Sequence, residues 1–298
     1  MRVLQGVVVL FAISILVFVI VRLTGDPRDV LLPPEATQED YERLGKILGL
    51  DKSLPVQYGI FIMNIAKGDF GMSIRAKRPV SELLLKRLPN SVKLSGFAMV
   101  IAFFLSLSLG VTAAAKKGSG IDTLVKVFCI LGMAVPHFWL GIMFILFFSV
   151  ELRLFPSSGT GGIQYYILPG VTIGWSASTA MMRLLRSSML EVLDTEYVKL
   201  ARIKGVSESW VIWRHALRNA LIPMVTFGGF YFATAIGTAV IVETIFAWPG
   251  LGRLAYEALV WRDFPVIQGV VLLITAIVVI TNLVVDILYV CLDPRVRY

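Results

Sequence analysis

The amino-acid sequence predicts an all-α integral membrane protein with six transmembrane helices, on the basis of its composition and of its apolar runs. Of its 298 residues, 57% are hydrophobic and only 16% are charged, and the mean hydropathy is +0.79. Soluble domains are about half apolar and about a quarter charged, so this balance indicates a membrane protein with several spans. The apolar runs are also long enough, because a helix needs about 20 apolar residues to cross a bilayer.

Residues 1–22 are predicted to form the first transmembrane helix. The run Val3–Val21 contains no charged residue and is longer than the apolar core of a signal peptide. The sequence that begins at Arg22 lacks the small-x-small pattern at which a signal peptide is cleaved. We therefore expect this helix to be retained.

Residues 23–93 are predicted to form an extracytoplasmic segment. Turn sequences at Gly25–Pro27 and at Pro33–Pro34 interrupt it. Three short helices are predicted within it, over residues 37–48, 54–65 and 81–88. The segment is too short and too broken for a large core of its own, so we expect it to pack on the membrane part.

Residues 94–290 are predicted to form a core of five further spans. These spans cover approximately residues 94–115, 123–150, 166–185, 223–242 and 266–288. Pro136 lies inside the span 123–150 and should kink it. The spans 166–185 and 223–242 are rich in small residues, which let membrane helices approach closely. We expect these two spans to face other helices more than lipid.

Charge in the short loops predicts that both termini are cytoplasmic. With the N-terminus inside, twelve basic residues fall in the inside segments, which include a loop over residues 186–222 and a tail over 291–298. The short outside loops hold three basic residues, Arg153, Arg253 and Arg262. Short loops rich in Lys and Arg favour the cytoplasmic side, whereas long segments such as 23–93 translocate largely regardless of charge.

Several classes of function lack their sequence signatures. The dipeptide Gly45–Lys46 does not lie in the phosphate-binding frame G-x-x-x-x-G-K-[ST], so any ATP used must be bound by another chain. The two cysteines and two histidines complete no metal, disulfide or nucleophile motif. The net charge of +8 is spread over the polar segments, which fits membrane topology better than nucleic-acid binding.

The segment Glu196–Pro223 is basic and amphipathic, and it lies between two apolar spans. Ala201 and Gly205 are four residues apart, so we predict that they share a helical face that another protein can approach closely. The candidate docking residues are Glu196, Lys199, Ala201, Arg202, Lys204 and Gly205. On periodicity alone, an equally good alternative is a helix that lies flat at the lipid headgroups with Trp210 and Trp213 as anchors.

The stretch Glu243–Arg253 is predicted to lie outside the membrane, directly after the fifth span. Pro249 and Gly250 force a turn there, and Phe246 and Trp248 suit the membrane interface. The candidates for a gate are Glu243, Phe246, Trp248, Pro249 and Gly250. A structural cap on the helical bundle explains the same residues.

His137 and Trp139, just after Pro136, are candidates for lining a transport pathway, although packing around a kinked helix accounts for them as well. Ionisable residues within spans are functional candidates by default. Lys126 and Asp286 qualify, but both lie close enough to a span end to reach water. A proton-coupled carrier needs a carboxylate near the membrane midplane, and the sequence offers no clear one.

Taken together, these stretches resemble the permease subunits of ABC importers, in the dipeptide, oligopeptide and nickel group. The segment Glu196–Pro223 is similar to the EAA loop of those permeases. The positions of the opening Glu-Ala-Ala are here Lys199, Leu200 and Ala201, with Gly205 in register. Further similar stretches follow the same order: Gly25–Pro27, Leu48–Asp51 with Gln57–Tyr58, Gly68–Gly71 with Ser73, Glu243–Arg253 and Asp293–Arg295.

The resemblance implies a type I ABC importer permease in the inner membrane, with a five-helix core and an extra first helix. It implies a second homologous permease, two ATP-binding subunits and an extracytoplasmic solute-binding protein as partners. ATP and Mg would be held by the ATP-binding subunits, and this chain would hold no cofactor, metal or catalytic residue. The cargo would be a peptide, a nickel chelate, glutathione or a related solute. A self-sufficient secondary carrier or channel is the alternative function.

Overall fold

The computed structural model describes residues 2–33, 35–47 and 49–292 of the chain. Within these ranges the chain is helical, and its β-structure is one isolated bridge between Met72 and Pro79. The all-α prediction is therefore confirmed. Residues 293–298 of the predicted tail, with the stretch Asp293–Arg295, lie outside the described residues.

The helices follow one another with short connections. They are α1 (Arg2–Thr24), α2 (Pro27–Leu31), α3 (Gln38–Ile47), α4 (Leu54–Ala66), α5 (Val80–Ala115), α6 (Gly120–Ala134), α7 (His137–Phe144, extended by a π-helical segment Ile145–Glu151), α8 (Gln164–Leu193), α9 (Glu196–Ile203), α10 (Glu208–Trp210, extended by a π-helical segment Val211–Ala216), α11 (Leu217–Ile245), α12 (Leu251–Val260) and α13 (Phe264–Leu292).

Four helical stretches in the described part of the chain are long and apolar enough to cross a membrane. They are Arg2–Thr24, Val80–Ala115, Glu208–Ile245 and Phe264–Ile287. A fifth candidate is the pair Gly120–Ala134 and His137–Glu151, which is bent by 107°. Pro136 lies at that bend, so the predicted kink is confirmed, because proline cannot continue the hydrogen-bond ladder of a helix. Among the described residues, the count by length and apolarity is four or five spans, so the predicted count of six is not confirmed.

Helix α5 is a single helix of 36 residues that contains Pro89. The prediction of a separate short helix over 81–88 and a span beginning at residue 94 is therefore wrong, and the predicted boundary between residues 93 and 94 falls inside α5. A proline inside a helix removes one backbone hydrogen bond. Buried residues on both sides of it, such as Leu84 and Leu94, supply the packing that keeps the helix continuous.

The chain divides into two compact units. The first comprises Met1–Asn90 and Pro249–Ile280, and the second comprises Ser91–Trp248 and Thr281–Tyr298. The core of the first unit contains the buried residues Val80, Leu84, Leu251, Leu254, Ala258, Val266 and Val270.

A buried carboxylate organises one loop of the first unit. Asp263 accepts a hydrogen bond from the Ser73 hydroxyl at 2.5 Å. It also accepts bonds from the backbone N–H groups of Ile74 and Arg75, at 3.1 and 3.2 Å. The guanidinium of Arg75 lies 3.8 Å above the ring of Trp261. These contacts fix the loop before α5 against the segment between α12 and α13.

Helix α8 lies at the centre of the second unit, where it packs against α6, α7 and α11. Its buried small residues include Gly170, Thr172, Gly174, Ala177, Ser178 and Ala180. The expectation that the span 166–185 faces other helices is therefore confirmed. Small residues let neighbouring helices approach, and they also lower the apolarity of the helix. This is why α8 is not among the helices that qualify as spans by composition.

Replacing Gly174 by valine tests this close packing. A Cβ atom at Gly174 would lie 2.7 Å from the backbone oxygen of Ala98 on α5, so the helices must move apart. We expect Gly174→Val to lower the stability of the purified protein by about 1–3 kcal/mol, which thermal unfolding in detergent measures. The matched control is Gly237→Ala on α11, where a Cβ meets no atom within 4 Å. Equal unfolding midpoints for the two variants would contradict the close approach of α5 and α8.

Candidate functional site

Helix α9 is a helix of eight residues that is anchored on the long helices around it. Its residue Val198 is fully buried. The hydroxyl of Tyr197 accepts a hydrogen bond from Asn219 Nδ2 at 2.7 Å and donates one to the backbone oxygen of His215 at 3.3 Å. His215 and Asn219 lie on either side of the point where α11 begins, so α9 is tied to the start of that helix.

The charged residues of α9 are already paired within the chain. Arg202 donates to both carboxylate oxygens of Glu208, at 3.0 and 2.7 Å. Lys199 lies 3.1 Å from a carboxylate oxygen of Glu196 and 3.2 Å from one of Asp194. These hydrogen bonds raise the pKa of Lys199 and of Arg202, so both stay protonated. The two cations therefore stabilise the local structure of α9.

Gly205 ends α9 instead of lying on its face. The helix stops at Ile203, and Gly205 adopts a left-handed backbone with φ of +81°. The Gly205 N–H donates to the oxygen of Arg202, and the Val206 N–H donates to the oxygen of Ala201, which together form a Schellman cap. The prediction that Gly205 shares a helical face with Ala201 is therefore wrong, because glycine is needed here for the turn.

An apolar edge of α9 faces solvent. Leu200 is 51% exposed and Ile203 is 81% exposed, and they are three residues apart on the same side of the helix. Neither is among the docking residues predicted from the sequence, because the sequence alone does not show which face of α9 the rest of the chain covers. A Cβ atom at Gly205 would also meet nothing within 4 Å, so the space beside the helix end is open. Among the described residues, nothing covers this edge.

The predicted gate residues at the end of α11 are mostly buried. Glu243 is fully buried in the last turn of α11, and its carboxylate accepts a hydrogen bond of 2.5 Å from the Ser91 hydroxyl on α5. The Trp248 ring packs edge-to-face on Tyr166 at 4.6 Å between ring centres. Phe246 is also buried. The prediction that Phe246 and Trp248 face the membrane interface is therefore wrong, because both rings belong to the protein core.

The turn after α11 contains the other two candidates. Pro249 accepts a hydrogen bond through its backbone oxygen from Asn90 Nδ2 at 2.9 Å. Gly250 is the N-cap residue of α12. The turn predicted for this stretch is present, since Ala247 has a positive φ of 48°. Asn90 and the neighbouring Ser91 both lie inside α5.

The two pathway candidates have different surroundings. His137 begins α7 after the bend, and its Nε2 lies 2.9 Å from the Ser176 hydroxyl on α8. Trp139 is exposed on the surface of the second unit. The structure therefore does not bring them together at one site.

One buried ion cluster was not predicted from the sequence. Asp122 on α6 has no exposed surface, and its carboxylate pairs with Arg186 of α8 at 2.6 Å. Lys126 lies 2.9 Å from the same carboxylate and is half exposed. The two ends of the pair are 64 residues apart in sequence, and no local motif signals them. This cluster joins α6 to α8 near the end of α8 that leads into α9.

The described residues thus contain four or five candidate spans and a short helix, α9, anchored between two of the long helices. The chain belongs to the family described as binding-protein-dependent transport system inner membrane component. The model of that family matches residues 106–298, and the model of its N-terminal region matches residues 1–95.

The relatives and solved structures agree with this membership. The chain is 40% identical to the glutathione transport system permease protein GsiC of Escherichia coli strain K12, and the alignment covers 100% of the chain and 97% of that protein. The GsiC protein of Salmonella typhimurium is 39% identical over the same shares. Inward-facing structures of the MetNI methionine ABC transporter share the fold, with a TM-score of 0.59, 17% identity and coverage of 71% of this chain and 96% of that chain.

A second solved structure, an amino acid ABC transporter with histidines, has a TM-score of 0.54 at 17% identity, over 72% of this chain and 95% of that chain. The resemblance to ABC importer permeases of the peptide group is therefore confirmed. The chain is a multi-pass inner-membrane permease subunit of an ABC importer. It is a transport subunit rather than an enzyme.

Replacing Ser91 by alanine tests the burial of Glu243. The substitution removes a donor from a fully buried carboxylate, so we expect a loss of about 1–3 kcal/mol in stability, measured by thermal unfolding. The matched control is Ser108→Ala on the same helix, because the Ser108 hydroxyl is exposed and bonds only to carbonyl oxygens of its own helix. If both variants unfold at the wild-type midpoint, the Ser91–Glu243 bond does not stabilise the fold.

Proposed function

We propose that this chain works with a second homologous permease, two ATP-binding subunits and an extracytoplasmic solute-binding protein. ATP and Mg are bound by the ATP-binding subunits, and this chain binds no cofactor or metal. Its remaining partner is membrane lipid, and nucleic acid is not a partner. The cargo is a peptide or a related small solute, and the names of the glutathione permeases support that class.

The proposed topology has six spans with both termini in the cytoplasm. The spans are α1, α5, the bent pair α6–α7, α8, α11 and α13. Helix α8 is counted because it is largely buried among other helices, so it does not need the apolar surface of a helix that faces lipid. An even number of spans places both termini on one side, and the bias of basic residues in short loops favours the cytoplasm. The segment 23–93 then lies on the extracytoplasmic side, apart from residues 80–93, which form the first part of α5. The core of 94–290 retains its type I arrangement, with the loop 186–222 in the cytoplasm.

Helix α9 is proposed as the coupling helix that docks on an ATP-binding subunit. The observation that carries this role is its exposed edge of Leu200 and Ile203 on a helix that is held rigidly by the rest of the chain. A helix in a groove gains affinity from such apolar anchors at spacings of three and four residues. Lys204 is exposed and can contribute charge at the rim, whereas Lys199 and Arg202 keep the helix in shape.

Alternating access is the proposed mechanism. Closure of the ATP-binding dimer pulls the two coupling helices together, and each helix moves with the ends of the long helices that anchor it. The pathway then turns outward and accepts cargo from the binding protein, and hydrolysis returns it inward. ATP drives this change through its differential affinity for the two states of the complex.

The turn after α11 is proposed as an element at the extracytoplasmic mouth of the pathway. Because Glu243, Phe246 and Trp248 are buried, we expect this turn to move with α11 as one body rather than as a flexible flap. His137, paired with Ser176 beside the bend of α6–α7, is the pathway candidate that is better placed. Trp139 is the weaker candidate, since it is exposed on the outside of its unit.

The test of the coupling role is Ile203→Asp, with Ile203→Leu as the matched control. Burying an isoleucine contributes about 1.5–3 kcal/mol, so losing that burial weakens docking by roughly 10- to 100-fold. We expect the aspartate variant to insert normally but to lose ATP-binding subunits on purification and to lose ATP-driven uptake in proteoliposomes. The leucine variant keeps the apolar edge and should retain both.

Two results would contradict the proposal. Wild-type association and uptake in the aspartate variant would remove α9 from the docking site. Flux of solute through this chain alone in liposomes without ATP would favour a self-sufficient carrier or channel instead.

A further inference from the structure

We propose that the first unit binds an anionic phospholipid in a cavity beside the end of α1. This cavity has a volume of about 540 Å³. It lies among the last turns of α1, helix α4, the loop after Gly71 and the start of α13. No role in transport is assumed for it, so it stands independently of the coupling helix.

The walls of the cavity are mainly apolar. Its apolar lining residues are Phe18, Val21, Leu31, Leu50, Ile60, Phe61, Met72, Ile74, Phe264 and Pro265. Phe18 and Val21 face it from α1, a helix whose other side is exposed along most of its length and whose composition suits a membrane. A cavity of this size and lining holds part of an acyl chain, because burying each CH₂ group is favourable by roughly 0.8 kcal/mol.

Two cations line the same cavity, and no carboxylate does so among the described residues. They are Arg22 at the end of α1 and Lys77 in the loop before α5. In the described part of the chain, neither side chain makes a hydrogen bond or an ion pair. The contact of the Arg22 guanidinium is with the face of Phe18, at 5.4 Å from the ring centre. Asp26 acts on Arg22 electrostatically but does not line the cavity. Two cations above an apolar cleft match a phosphate headgroup above its acyl chain.

Helix α4 indicates that this cavity lies in a lipid leaflet rather than in water. The Tyr58 hydroxyl is 2.8 Å from the Ser14 hydroxyl, in the middle of α1. Ser14 precedes Arg22 by eight residues, or roughly 12 Å at 1.5 Å per residue. Tyr58 therefore lies deeper in the membrane than Arg22, which we place at the level of the lipid headgroups.

The surface of α4 agrees with this depth. None of its residues is buried, and three large apolar side chains, those of Leu54, Val56 and Met63, are about half exposed or more. Charged residues flank both ends of the helix, at Lys52 and Lys67. A helix with apolar sides and charged ends lies in the boundary between headgroups and acyl chains. The leaflet is the one at the Thr24 end of α1.

The direct experiment is native mass spectrometry of the assembled transporter after mild delipidation, followed by incubation with phosphatidylglycerol or phosphatidylcholine. We expect one phosphatidylglycerol to be retained per copy of this chain, and less phosphatidylcholine. In the double variant Arg22→Gln, Lys77→Gln, retention of phosphatidylglycerol should fall about 25-fold, since each basic residue contributes roughly fivefold to the binding of anionic lipid. The matched control is Arg43→Gln, Lys67→Gln, which removes the same charges from the same unit outside the cavity.

The proposal is overturned if the cavity variant retains as much phosphatidylglycerol as wild type, or if the control variant loses as much as the cavity variant. Equal retention of both lipids would also contradict it, because the two cations would then not select the headgroup.

A second measurement does not depend on removing these charges. A fluorophore at Met63→Cys, in the assembled transporter with its two native cysteines replaced by alanine, should be quenched by spin-labelled phospholipid and not by aqueous iodide. The same label at Lys67→Cys should show the reverse. If iodide quenches the label at position 63, α4 lies in water. If neither quencher reaches that label, a protein covers α4. Either result removes the lipid site.

Discussion

Helix α9 is anchored on the rest of the chain, because its residue Val198 is fully buried and its residue Tyr197 bonds to the start of α11. A helix of eight residues has little stability alone, since helices of fewer than about 12 residues are marginal in water. Its shape comes from these contacts, from the Arg202–Glu208 pair and from the Schellman cap at Gly205. In the proposed mechanism, the same anchoring would pass a displacement of α9 on to α8 and α11.

The second unit is suited to receive such a displacement, because its central helix is packed closely. Small residues along α8 bring its neighbours to within contact of backbone atoms, as at Gly174. The Asp122–Arg186 pair adds a charged connection between α6 and α8. Closely packed helices have few intermediate arrangements, so they shift as bodies between discrete states rather than deforming gradually. This property fits a permease whose pathway opens on one side at a time.

Composition and periodicity predicted much of this architecture. Long apolar runs located α1, α5, α11 and α13, and Pro136 located the bend between α6 and α7. The segment Glu196–Pro223 was also located as a polar stretch between two long apolar runs, because charge and amphipathicity are local properties of the chain. The predicted span began at residue 94, whereas α5 begins at Val80, since the rule that proline breaks a helix ignores the packing that holds the turns on both sides of Pro89.

Contacts between distant segments could not be predicted. Ser91 and Glu243 are 152 residues apart, and only the assembled unit brings the hydroxyl to the carboxylate. The sequence predicts Gly205 as a close-packing residue, whereas in the structure it ends α9, because spacing cannot distinguish a close-packing glycine from one that ends a helix. The exposure of Ile203 could not be predicted for a similar reason, since it depends on which face of α9 the rest of the chain covers.

The identity of the molecule that touches Ile203 in the assembled transporter tests the central claim most directly. A photo-activated cross-linking amino acid at position 203, irradiated in the native membrane, should capture an ATP-binding subunit. The same residue at Leu259, which is exposed on α12, should not. Capture of lipid alone at position 203, or of no partner, would contradict the account of α9 as the coupling helix.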